Sequence, residues 1–486
     1  MTRRPVDRLR RDEREIAAWD AECDVLVVGM GCAGACAAIE AARAGAETLA
    51  LERAGGAGGT SALSGSFLYL GGGTRIQKAC GFEDTAEEMF KYMMAACGPE
   101  PDAALIEPYC EESVEHFEWI AAQGVPFKPS FFPGDHEPFT TDDGLAYSGS
   151  EKFHPFNQIA RPAPRGHIPQ QVQNKGTLLM KHLLASAERA GVETHLGSLC
   201  EALVVASDGR VVGAIARSTD GTVAVRARRG VVLTTGGFIY NDEMLSSYAP
   251  HLRRCTHKVG TENDDGSGIR LGLAAGGEAI RMDAGDVSLA IFPPNQLKRG
   301  IFVNRSGQRF LNEDVYFGRS GEISLFHQDG EIYLILDDET FARPELFPVE
   351  IAAVGETIEE LEKELGLPAP ALQDTVALYN RYAGRGEDPL FHKTPEYLKP
   401  LDHGPFGALD LRVENAVYSA LTLGGLHIDA HAAVLRPSGT PVPGLFAAGR
   451  ATSGVAKHGY SSGMSLGDGS FFGRRAGRNA ALDRDT

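Results

Sequence analysis

The chain carries Gly29-Met30-Gly31-Cys32-Ala33-Gly34 directly after the run Asp24-Val25-Leu26-Val27-Val28 and ahead of an alanine-rich stretch that Gly45 closes. A GxGxxG in that position suits the pyrophosphate of a dinucleotide. Gly29 permits the tight turn, Gly31 lets the backbone approach the phosphates beside Ala33, and Gly34 lets a helix pack closely on the strand. The helix N-terminus attracts the phosphate charge. A second apolar run over 47–51 ends at Glu52, where a carboxylate can accept hydrogen bonds from an adenosine ribose. The elements that must position these groups are a buried parallel strand, a helix and a second strand, the start of a βαβ unit.

Other glycine turns lie far away in the sequence. A glycine- and serine-rich stretch holds Gly59, Thr60, Ser61, Ser64 and Gly65. An apolar run enters Thr235-Gly236-Gly237, and another enters Gly449 near the C-terminus. Contacts from segments this distant favour FAD, which is longer than NAD, and no second GxGxxG is present. An NAD-only reading stays open on the motif alone. Helical patterns are expected over 85–96 and 102–122, a long loop over 127–173, and hairpin turns at Asp208-Gly209 and Asp220-Gly221. From about 283 to 411 the pattern is mixed α+β, with charged helices over 357–365 and 372–383. The expected fold is α/β: a Rossmann-like FAD-binding domain over 21–282 and 413–486, interrupted by an inserted α+β capping domain over 283–412. Residues 1–20 read as a solvated helix or tail, since Arg3-Arg4 is followed by no apolar segment.

Composition excludes several classes. With 47 Lys and Arg against 65 Asp and Glu, the net charge of −18 repels nucleic acid and anionic lipid. The eight cysteines form no CxxC pair, so neither a disulfide framework nor a zinc site is expected and a reducing compartment fits. No apolar run reaches the roughly 18 residues that span a bilayer. The expected location is cytoplasmic, with no metal and no membrane span.

Taken together, Gly29–Gly34, Glu52-Arg53, Gly58-Gly59-Thr60-Ser61, Thr235-Gly236-Gly237, Leu423-Gly424-Gly425-Leu426 and Gly444–Gly449 resemble the fumarate reductase/succinate dehydrogenase flavoprotein superfamily. The resemblance covers nearly the whole chain. It implies an extended FAD whose isoalloxazine lies between the flavin domain and the capping domain. It adds Arg53, Leu203, Asp265 and Arg450 to the cofactor contacts, with the backbone of Ser465 and Leu466 at the start of the final helix. Some members attach FAD through a histidine near the glycine–serine stretch. No histidine occurs here between Arg53 and Lys78, which implies non-covalent FAD.

Dicarboxylate reductases of that superfamily need paired cations. Their arginine follows an Arg-Phe-x-Asn-Glu motif, present as Arg309–Glu313, but Val315-Tyr316-Phe317 stands there and Arg319 is out of step. Their histidine precedes Thr-x-Gly-Gly, where this chain has Ala420-Leu421, and no arginine occurs from Ala451 to Gly473. The segments Ser64–Thr74, Ala163–Gln170, Glu313–Tyr316, Gly459–Gly463 and Ser465–Phe471 instead resemble the 3-ketosteroid dehydrogenases, most nearly the Δ4-(5α) type.

That resemblance implies that Ser462 accepts the C4 proton of a 5α-3-ketosteroid, with Tyr316 and Tyr460 relaying it, while the C5 hydride goes to flavin N5. The implied partners are a steroid and an electron acceptor of unspecified identity. The aromatics Phe127, Phe131, Phe132 and Tyr147 can be read as pocket walls or as core, and the roles of His458, Arg165 and His167 stay open. Rival readings are a Δ1-dehydrogenase, a steroid enone reductase, a fumarate-type acid reductase and a flavin-binding protein without turnover.

Overall fold

The computed structural model describes residues 8–134 and 141–483. The run before the first glycine turn is the strand Ala21–Val28. It pairs in parallel with Thr48–Leu51, Val25 opposite Thr48, and that strand pairs in parallel with Glu193–His195. Cys32–Arg43 forms the intervening helix, and the chain turns out of it where Gly45 takes φ +84. Both faces of these strands are covered, which is why they read as unbroken apolar runs.

Gly221–Leu233 runs parallel to Ala21–Val28 on its other side, and Pro441–Ala447 follows with Leu445 opposite Val231. The C-terminal segment thereby completes a sheet that the first fifty residues begin. Leu199–Val205, Val211–Ser218 and Gly221–Leu233 form an antiparallel meander through the two expected turns.

The last helix, Met464–Leu482, lies against Cys32–Arg43 with backbone almost touching backbone. A methyl group on Gly473 would collide with Ala33 O, and one on Gly477 with Ala37 O. Small residues on both helices set this short separation.

The insertion has its own antiparallel sheet, in the order Ile301–Asn304, Ile332–Asp337, Phe406–Asp410 and Ile351–Gly355. Helices Ile358–Glu364 and Ala371–Ala383 pack against it around Ile335, Leu361, Leu372 and Val376. A separate three-stranded sheet of His257–Lys258, Tyr418–Thr422 and Gly285–Leu289 draws on segments from both sides of this insertion.

The long loop is fastened rather than free. Its strands Leu145–Ala146 and Gly166–His167 pair, and the second also pairs with Leu68–Tyr69. Arg165 meets Asp84 at 2.7 Å with both side chains 0% exposed. His167 Nε2 lies 2.8 Å from Thr74 Oγ1, and burial lowers its pKa to about 4, so the ring is neutral near pH 7. Arg165 and His167 are therefore buried fasteners of this loop.

Two expectations need correction. Residues 8–20, within the expected helix or tail over 1–20, are neither: Arg10–Asp12 is a strand paired in parallel with Leu203–Val205, followed by a turn at Glu13–Glu15 that Asp12 caps. The edge of Leu199–Val205 offers backbone groups that a neighbouring segment can pair with. Arg3-Arg4 lies outside the described residues. The expected helix over 102–122 is two helices, Ala103–Glu111 and Ser113–Ala122, broken at Glu112. Pro108 in the first supplies no amide to the preceding turn, which weakens the helix there. No helix among the described residues is long and apolar enough to cross a membrane.

Candidate active site

A cavity of about 480 Å³ runs from the first glycine turn to the segment that carries Tyr316. Gly29, Gly31, Ala33, Glu52 and Arg53 line one end. Gly29 has φ +99, and a side chain there would meet Thr234 O at 2.7 Å. Gly34 is off the wall, and a methyl on it would overlap Gly29 O, so its part is to let helix and strand touch. Glu52 accepts the N–H groups of Met30 and Ala54, each at 2.9 Å, which fixes the turn around the motif.

Arg53 pairs with Asp265 at 2.8 Å. Asp265 itself stands behind the wall, its carboxylate also accepting the Ser267 N–H, and it positions Arg53 instead of lining the cavity. Burial alone would raise its pKa, but Arg53 and Ser267 outweigh that and hold it low. The neighbouring Asp264 reaches the wall, where it accepts from Thr261 N at 3.2 Å and Arg450 Nη2 at 3.1 Å.

The glycine–serine stretch contributes Gly59, Thr60, Ser61, Ser64 and Gly65 to the cavity. The later turns add Thr235, Gly236, Gly449 and Arg450, and the last helix adds Ser465 and Leu466. Leu203 is not among them. It is fully buried in its strand opposite Arg10 and Ala214, and the start of that strand, at Leu199 and Cys200, meets the cavity instead.

Thr235 Oγ1, Ser465 Oγ and Arg450 Nη1 are buried on this wall without a hydrogen-bond partner in the protein. Buried polar groups left so cost about 1–3 kcal/mol each. A long ligand rich in acceptor oxygens satisfies them, and FAD is such a ligand.

At the other end Tyr316 forms the N-cap of the helix Phe317–His327, and Ser462 directly precedes Gly463, the N-cap of the last helix. Their hydroxyls lie 2.6 Å apart, with Tyr316 1% and Ser462 6% exposed, so little water competes for the bond. Ser462 N donates to Ser148 O at 2.8 Å, which holds the serine in place. Tyr460 lines the same cavity, and its hydroxyl accepts the Ser465 N–H at 3.1 Å. The Ser465 amide, expected as a cofactor contact, is thus engaged by Tyr460.

A further layer lies behind, which sequence reasoning missed. Ser461 Oγ is 2.8 Å from Tyr92 OH, which also accepts the Ser150 N–H at 2.9 Å. Glu151 accepts from Tyr69 OH at 3.1 Å and from Gly149 N at 2.9 Å, and its burial raises its pKa against the pull of Arg165. Only a pairing between the long loop and distant helices brings these groups together, and no local spacing signals it.

Among the described residues the arginines on the cavity wall are Arg53 and Arg450, and both sit in ion pairs with aspartates. Arg319 is off the wall and pairs with Glu322 at 2.9 Å. His458 is half-buried beside Gly98 and off the wall.

Of the two readings of the loop aromatics, core packing holds. Phe131 packs on Phe82 at 4.7 Å and Phe127 on Phe117 at 4.9 Å, Tyr147 joins the Phe131 cluster, and Phe132 packs on a small separate core. Phe67, Phe317 and Phe347 line the cavity instead.

Comparison with known proteins agrees with this arrangement. The family model described as FAD binding domain matches residues 24–466. The crystal structure of the 3-ketosteroid-Δ4-(5α)-dehydrogenase from Rhodococcus jostii RHA1, in complex with 4-androstene-3,17-dione, is 50% identical with a TM-score of 0.91, covering 97% of this chain and 99% of that one. The 3-oxo-5-alpha-steroid 4-dehydrogenase of Comamonas testosteroni is 30% identical, over 89% of this chain and 93% of its own. A probable fumarate reductase of Shewanella frigidimarina is 28% identical, over 96% of this chain and 76% of its own. The chain belongs to the FAD-binding flavoprotein family that holds the 3-ketosteroid Δ4-(5α)-dehydrogenases, and FAD is its cofactor.

Proposed function

We propose that the protein is an FAD-dependent 3-ketosteroid Δ4-(5α)-dehydrogenase, which places a double bond between C4 and C5 of a 5α-3-ketosteroid. The observation that carries this reading is the 2.6 Å hydroxyl pair of Tyr316 and Ser462 in a cavity end walled by aromatic side chains. The steroid complex of the Rhodococcus enzyme, half identical to this chain, supports the substrate class.

A 3-oxo group acidifies the hydrogen on the adjacent C4, and Ser462 Oγ takes that proton. Serine alone is a very weak base, but a hydroxyl both donates and accepts. Ser462 can therefore pass its own proton to Tyr316 as the new one arrives, with Tyr460 completing the relay. A phenol, with pKa near 10, stays neutral beside an apolar ring system. FAD, when bound, supplies the acceptor for the hydride that leaves C5. The N-terminal end of the last helix, at Ser465 and Leu466, presents a partial positive charge of about +0.5 to the cofactor wall. With no histidine between Arg53 and Lys78, the cofactor is held without a covalent bond.

Anaerobic incubation with a 5α-3-ketosteroid and an artificial electron acceptor tests this. The expected product is the 4-ene-3-ketone. A C1=C2 product assigns the enzyme to Δ1 chemistry. Reoxidation of the reduced protein by fumarate, with no response to steroid, establishes an acid reductase. A yellow protein that no steroid bleaches is a flavin binder without turnover.

A further inference from the structure

The three-stranded sheet presents a feature that the ring-A chemistry does not use. Ser419 pairs with His257 on one neighbouring strand and with Ser288 on the other. Directly paired residues of a sheet share a face, so the three side chains stand in one row. All three line the cavity, and His257 Nδ1 lies 3.1 Å from Ser419 Oγ.

The row's place along the cavity follows from its strands. Thr422, packed against Gly237 next to the Thr235-Gly236 turn, accepts the Phe238 N–H, and Leu421 and then Ser419 lead outward from it. Exposure rises along that path, from buried Leu421 through half-buried Ser419 to exposed His257. The strand Gly285–Leu289 is held against the helix that Tyr316 caps, since a side chain on Gly321 would collide with Val287 O. The row and the Tyr316 hydroxyl therefore stand on neighbouring packed elements, with the row toward the exposed end of the path.

Its chemistry is that of neutral recognition. Two hydroxyls and an imidazole both donate and accept. Asp286 also lines the cavity, its carboxylate 3.5 Å from Ser288 Oγ, and that negative charge opposes a carboxylate ligand. A lone oxygen on an otherwise apolar ligand is what such a rim can read.

We propose that His257, Ser288 and Ser419 form the subsite that recognises a neutral hydroxyl or oxo group on the ring of the steroid farthest from its reacting ketone. This rests on the steroid reading above. The test compares a 5α-3-ketosteroid bearing an oxo group on that distal ring with its counterpart bearing only hydrogen there, in the FAD-loaded wild type and in Ser288→Ala/Ser419→Ala.

The wild type is expected to show a KM lower by about tenfold for the oxygenated steroid, the worth of one or two good hydrogen bonds. In the double variant that ratio falls to near one. Titration of the flavin absorbance with each steroid gives the same ratio as a Kd, independent of turnover. Should the double variant fail to fold, His257→Ala at the exposed end carries the same comparison. Turnover of both steroids with equal KM in the wild type, or an unchanged ratio in the variants, overturns the subsite alone. Failure of the wild type to convert or bind either steroid overturns the steroid reading and the subsite with it.

Discussion

Two buried polar clusters lie within one short stretch of the insertion, and they are built in opposite ways. Around Glu313 everything is charged: Arg309 Nη2 reaches it at 2.7 Å and Lys393 Nζ at 2.9 Å, while Arg309 also meets Asp388 at 2.8 Å. The Phe302 N–H and the Gly300 carbonyl complete the cluster, and aromatic rings of Tyr379 and Phe391 cover the guanidinium. Three residues later, Tyr316 meets Ser462 as a neutral pair on the cavity wall. Charge is tolerated where partners enclose it on all sides and no ligand enters. Where an apolar ring must approach, an unscreened charge would cost several kcal/mol, and hydroxyls stand instead.

The sharpest way to break this contrast is to remove one hydroxyl from the neutral pair. Ser462→Ala or Tyr316→Phe should keep bound FAD yet lower steroid turnover by on the order of 10²–10⁴-fold. Unchanged rates in stopped-flow flavin reduction would end the assignment.

The ionic cluster should respond in stability rather than chemistry. Glu313→Gln leaves two buried cations short of a partner and should cost about 3–5 kcal/mol in denaturant unfolding.

The pH dependences should have opposite signs. Burial would raise the Glu313 pKa, but Arg309 and Lys393 hold it below the ordinary value of 4.5. Its stabilisation is present above that value and is lost as pH falls through the lower folded pKa. Asp468 lies behind the catalytic loop, accepts the Val455 N–H, and is pushed by burial from 3.8 up to about 7. The folded protein keeps that proton over an interval where the unfolded chain has released it, so stability falls as pH rises from 3.8 to about 7. Asp468→Asn should flatten that slope, and Glu313→Gln should not, in unfolding measured across the same range. The smallest effect is expected from Arg319→Gln. Because Arg319 faces Glu322 and not the cavity, steroid turnover should stay at the wild-type level.

What could be read from the sequence follows the range of the interactions. The first glycine turn, the strands beside it, and the helices Ile358–Glu364 and Ala371–Ala383 rest on local periodicity and caps such as Thr357, and all were legible. Tyr316 and Ser462 could be named only through resemblance, since 146 positions separate them. The aromatics of the cavity were not legible, because loop aromatics such as Phe131 pack on one another, while Phe317 and Phe347 reach the cavity through tertiary placement. The strand Arg10–Asp12 and the row of His257, Ser288 and Ser419 depend on which strands become neighbours, and composition does not encode that.

The hydroxyl bond between Tyr316 and Ser462 also joins two parts of the chain that are far apart in sequence. Tyr316 belongs to the segment anchored by the ionic cluster of the insertion, while Ser462 belongs to the start of the helix that packs on the first glycine turn. That 2.6 Å bond therefore ties the insertion to the closing helix of the cofactor-binding half at the wall of the cavity, so the shape of the pocket there depends on how the two halves are docked.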